Sequence, residues 1–125
     1  MSALWPTDWQ GQTHLDCGSD GQLPTLITTT SQPNGIHQKS FRAIAGRWSK
    51  LWPEFRVSIE QLMRNYRQEQ PHWSNVRTIY LELADEPLAE DAEWSIGVAF
   101  SDTATMWVLP YRGWTPLPDQ AQAIW

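Results

Sequence analysis

With 125 residues, nine basic and 14 acidic side chains and a net charge of −5, the chain is sized for one domain whose core needs no disulfides. The negative balance argues against nucleic acid as the main ligand, because a phosphate backbone calls for a basic surface. The lone Cys17 leaves no intramolecular disulfide, no apolar run approaches a membrane span, and MSALWPTDWQ lacks the basic and apolar blocks of a secretory signal, so a cytoplasmic protein is expected.

Residues 1–11 read as an irregular lead-in that packs Trp5 or Trp9 against the domain. From Gln12 to Cys17 polar and apolar positions alternate, the period of a strand. Gly18-Ser19-Asp20-Gly21 carries an Asp-Gly hairpin signal, and Leu23–Thr30 reads as the return strand. Ser31–Gly35 is a loop. A long helical pattern follows, from Lys39 to Gln70. Its apolar residues before Pro53 (Phe41, Ile44, Ala45, Trp48, Leu51, Trp52) and after it (Phe55, Ile59, Leu62, Met63, Tyr66) fall on one face. A straight helix of that length would span roughly 48 Å, against a radius of gyration of about 14 Å for the domain. The pattern is therefore kinked at Pro53, or split there with Pro53 in the first turn of a second helix.

Three further strands are expected at Val76–Ala84, Glu93–Ser101 and Thr105–Tyr111, the last at an edge or bulged because of Pro110. Asp85–Ala92 is an acidic loop, and Asp119–Trp125 reads as a short closing turn of helix. The fold class is α+β, β-β-α(α)-β-β-β. An antiparallel meander of about five strands carries the kinked or split helix on one face. The other face shows Tyr80 and one of two sets from the last strand: Trp107, Leu109 and Tyr111, or Met106 and Val108. If the aromatic set faces out, it forms a patch that calls for a partner.

Charge is laid out as a dipole. Residues 39–77 hold eight bases against three acids, whereas residues 82–93 hold six acids and no base. Arg56, Glu60 and Arg64 stand at i, i+4 and i+8, so Glu60 can bridge both. Nine tryptophans are the main compositional anomaly. Either they fill a small core, Trp48, Trp52 and Trp94 above all, or some stand exposed to bind sugar or protein.

Chemistry-bearing motifs are absent from the sequence. The acids do not follow the spacing of a calcium loop, and no C-x-x-C, H-E-x-x-H, P-loop or G-x-S-x-G occurs. His14 and Cys17 fall on opposite faces of their strand, which argues against a nucleophilic pair. His37 and His72 read as surface loop residues. Neither a catalytic residue, a cofactor site nor a metal site is predicted.

The stretches LWPEFRVSIEQLMRNYR, TIYLELA, EWSIGVAFSD and TMWVLPYRGWTPL resemble, in order and in tryptophan placement over residues 40–125, a class of small uncharacterised bacterial α+β domains. Some of these look like immunity proteins of polymorphic toxin systems. The resemblance implies partner binding without catalysis and carries over no functional residue. The expected function is thus a non-enzymatic protein-binding module for a basic partner. Its candidate contacts are Glu86, Glu90, Asp91 and Glu93 on the acidic loop, with Tyr80, Trp107 and Tyr111. The alternative is a carbohydrate or small-ligand module using exposed tryptophans.

Overall fold

The structure, a computed structural model, describes residues 11–124 apart from the side chain of Glu90. The expected packing of Trp5 or Trp9, and all of the lead-in except Gly11, lie outside the described residues.

Strand β1 (Gln12–Asp16) turns through a 3-10 segment at Gly18–Asp20 into β2 (Gln22–Thr29). Helices α1 (Gly35–Gly46) and α2 (Trp48–Asn65) follow. Then come β3 (Val76–Leu83), β4 (Glu93–Phe100), β5 (Met106–Arg112) and two short strands, β6 (Thr115–Pro116) and β7 (Gln122–Ile124). The protein is α+β, as its hydrophobic periodicity predicts. Its sheet runs β1-β2-β3-β4-β5-β6, with β7 also paired to β5.

The meander needs one correction: β2 and β3 are parallel, with Thr25 opposite Ile79 and Thr29 opposite Leu83. The reason lies in the helices. A helical hairpin would return the chain to the end of the sheet it left. Here α2 alone, at 18 residues, spans about 27 Å, close to the length of an eight-residue strand. The chain therefore crosses the sheet before β3 begins.

The helical pattern does split, but at Arg47 and not at Pro53. Arg47 leaves helical geometry (φ −108°, ψ 8°) directly after Gly46, the weakest helix former in the segment. Pro53 sits inside α2, where it removes one donor to the carbonyl of exposed Ser49, a group that water can satisfy. The chain end is also corrected. A 3-10 turn at Pro118–Gln120 leads into β7, where a helical turn was expected. The edge of β5 explains this. Pro110 cannot donate there, so its neighbour is divided, β6 pairing with Tyr111 and Arg112, and β7 with Met106 to Val108. The Pro110 carbonyl is still used, accepting from Leu117 N–H at 2.9 Å.

One face of the sheet carries Leu15, Leu23, Ile27, Ile79, Leu81, Leu83, Trp94, Ile96, Val98, Trp107, Leu109 and Tyr111, all buried with the apolar stripe of the helices. Trp52 is the hub of that stripe, stacked on Trp48 (5.7 Å) and Phe55 (5.6 Å) and edge-on to Trp73 (5.4 Å). Buried indoles need a partner for their N–H. Trp52 donates to Asp20, Trp73 to Glu60 and Trp48 to the Cys17 sulfur. Glu60 is thus engaged by Trp73, while Arg56 pairs with Asp20 at 2.9 Å, so the expected bridge from Glu60 to both arginines is replaced.

Candidate functional site

The start of α1 is fixed by a capping box in which histidine replaces the usual glutamate. Asn34 Oδ1 accepts the Ile36 N–H at 2.8 Å, and His37 Nδ1 accepts the Asn34 N–H at 3.0 Å. With Nδ1 accepting, the ring proton lies on Nε2, which donates to Asp85 Oδ1 at 2.6 Å. Thr30 and Ser31 hydroxyls donate to the same carboxylate at 2.6 and 2.9 Å. The Thr30 hydroxyl above all, then His37 and Ser31, hold the Asp85 carboxyl below its usual range. His37, expected at the surface, is fully buried, because it turns inward to close the cap.

A histidine beside an aspartate and a serine suggests nucleophilic catalysis, but the geometry does not supply it. Ser31 donates to Asp85, and both imidazole nitrogens are committed. No ring nitrogen is left to take a proton from a nucleophile. The cluster is a joint that ties α1 to the β3–β4 loop.

That loop is shaped at its far end by a second contact. Gly113 has φ +55°, and a Cβ there would stand 3.4 Å from Asp91 Oδ1 and 3.5 Å from the Leu88 carbonyl. Its N–H donates to the Ala92 carbonyl at 2.9 Å, and its own carbonyl accepts the Trp94 indole N–H at 2.6 Å. Trp114 is thereby held edge-on to Trp94, with the Arg47 guanidinium 4.0 Å above its ring.

Between these two fixed points lies a groove of about 440 Å³. One wall is a helical stripe: Ile36, Lys39, Ser40, Ala43 and Arg47. The other is Pro87, Leu88, Ala89 and Trp114. Neither Lys39 nor Arg47 has a carboxylate partner among the described residues. Ser40, only 4% exposed, also lines the groove.

The candidate contacts read from the sequence do not gather into one patch. Glu86 and Asp91 are exposed on the β3–β4 loop, and Glu93 is exposed at the start of β4, paired with Arg112 at 3.0 Å. Tyr80 is half-buried on the opposite sheet face, across from Gly97. Trp107 and Tyr111 correct the exposure considered for them. The β4–β5 register sets them opposite Val98 and Trp94, in the inward set. The groove residues were not singled out from sequence. Arg47 and Lys39 read as ordinary positions of a basic helix face, and Trp114 as part of an irregular tail.

Cys17 is buried, and burial pushes its thiol up to about 11, outweighing the Trp48 indole N–H that donates to it. Among the described residues no group of three His, Cys, Asp or Glu side chains is placed to hold a metal ion. No described helix is long and apolar enough to cross a membrane. Comparison with protein-family models, with curated proteins and with solved structures returned no match to this chain.

Proposed function

We propose that the chain is a non-enzymatic protein-binding module, immunity-protein-like in kind and cytoplasmic, that meets its partner where α1, the β3–β4 loop and Trp114 converge. The groove carries this reading. Its centre is apolar, and a half-buried tryptophan lies under an arginine, the pairing of residue types most enriched at binding hot spots. Around it, exposed Glu86 and Asp91 supply the negative field that would steer a basic partner. The carbohydrate reading has less support. Trp48, Trp52, Trp73, Trp94 and Trp107 are buried, so among the described residues Trp114 alone offers part of a ring face.

The test is photo-crosslinking in cells of the source organism. A photoreactive side chain replaces exposed Ala43 in the groove or, as control, exposed Val57 on α2. The expected result is one protein adduct from position 43 that position 57 does not give. Equal labelling from both positions, or none from position 43, overturns the reading.

A further inference from the structure

We infer that the groove accepts a partner segment bearing one apolar side chain beside one carboxylate. This rests on the protein-binding reading and names the chemistry of what enters. Three observations point the same way. The lining is mostly apolar, with Ile36, Ala43, Leu88 and Trp114 around a space of about 440 Å³, within the range of pockets that enclose a ligand. The charges that line it are both positive, and neither is paired with a carboxylate among the described residues. Finally, Ser40, only 4% exposed, lines the same space with a hydroxyl that can donate. An occupant that accepts from it gains a hydrogen bond.

These groups suit a carboxylate better than any neutral acceptor. The Arg47 guanidinium lies 4.0 Å above the Trp114 ring and carries five N–H donors in a fork that matches a carboxylate. Lys39 precedes Ser40, and Arg47 follows two turns later on the same stripe. The carboxylate therefore sits on the α1 side. Glu86, exposed next to Pro87, disfavours it on the loop side, which fixes the direction of the segment.

The experiment is selection of a displayed random peptide library on the intact protein. Parallel selections use A43W, which fills the groove, and K39E/R47E, which reverses its charge. Far-UV circular dichroism and a urea midpoint confirm that each variant is folded. The expected winners pair Leu, Phe or Trp with a nearby Asp or Glu, are lost on A43W, and exchange the acid for Lys or Arg on K39E/R47E. S40A should weaken a synthetic winner about tenfold, the effect of one hydrogen bond to a charged group. Winners that need the open groove but carry no acid overturn the inference and leave the protein-binding reading standing. If no peptide is enriched, or if the winners ignore A43W, both fall.

Discussion

His37 Nε2 lies 2.6 Å from Asp85 Oδ1, across 48 residues of sequence, while His37 Nδ1 closes the N-cap of its own helix. One buried ring therefore sets both the start of α1 and the position of the β3–β4 loop. The two walls of the groove hang from this joint at one end and from Gly113 and Trp114 at the other. A change at either end should be felt in the groove without touching its lining.

Replacing His37 by Phe keeps an aromatic ring at the site and removes both hydrogen bonds. The Asn34 N–H loses its acceptor, and the Asp85 carboxylate keeps only Thr30 and Ser31. The expected cost is about 1–3 kcal/mol, two hydrogen bonds at a net of about 0.5–1.5 kcal/mol each. Urea unfolding of wild type and H37F measures it. A cost below about 0.5 kcal/mol, the level of an ordinary surface change, would show that the joint is dispensable.

Asp85 makes this joint sensitive to acid. Its folded carboxyl is held below the ordinary value of 3.8, first by the Thr30 hydroxyl and then by His37 and Ser31. The unfolded chain then takes up the proton more readily than the folded one. The stabilisation from charged Asp85 is complete above 3.8 and is lost as pH falls through the folded value. Wild type should be more stable than D85N near neutral pH, and the gap should close on acidification below 3.8. A gap that stays constant or widens there would contradict the assigned hydrogen bonds.

The parts of the fold written in short-range periodicity were legible in the sequence. Strand alternation located β1 to β5, and the 3.6-residue stripe located the buried face of both helices. Strand direction was not legible, because it depends on where the helix breaks, and Gly46-Arg47 competed with the more conspicuous Pro53. The face of β5 was left open by its pattern, since Met106 and Val108 are as apolar as the set that turned inward. The groove was illegible for a different reason. Its walls come from residues 36–47, 87–89 and 114, brought together by a buried histidine that local spacing presented as a loop residue. The sequence Asn34-Gly35-Ile36-His37 did hold a signal: a capping residue with a hydrogen-bond acceptor three positions later.

Cys17 should be chemically silent in the folded protein. Burial raises its thiol from 9.0 to about 11, so at mildly alkaline pH the thiolate fraction falls about a hundredfold. The residue is also only 4% exposed, and its sulfur accepts the Trp48 indole N–H. Labelling with a disulfide reagent should follow global unfolding, rising in urea along the same curve as fluorescence. Because the unfolded thiol ionises first, stability should also decline as pH rises above 9.0. Rapid labelling in native buffer would mean that the β1–β2 turn opens on its own.

Tyr111 makes the reverse case, a polar atom that the fold keeps without using. The side chain is fully buried and stacked on Trp94 at 4.5 Å and 19°, yet its hydroxyl has no hydrogen-bond partner among the described residues. Burial, and then the charge of Glu54, push its ionisation well above the ordinary phenol value. What the residue contributes is therefore its ring. Y111F keeps the stack and removes the unmatched hydroxyl, so it should be neutral or stabilising by up to about 1 kcal/mol. Y111L removes the stack as well and should cost at least about 1 kcal/mol, the aromatic pairing term plus lost packing. Urea midpoints for the two variants separate ring from hydroxyl. If Y111F is the more damaging of the two, the hydroxyl is bonded in solution and the ring is not what anchors β5 to the core.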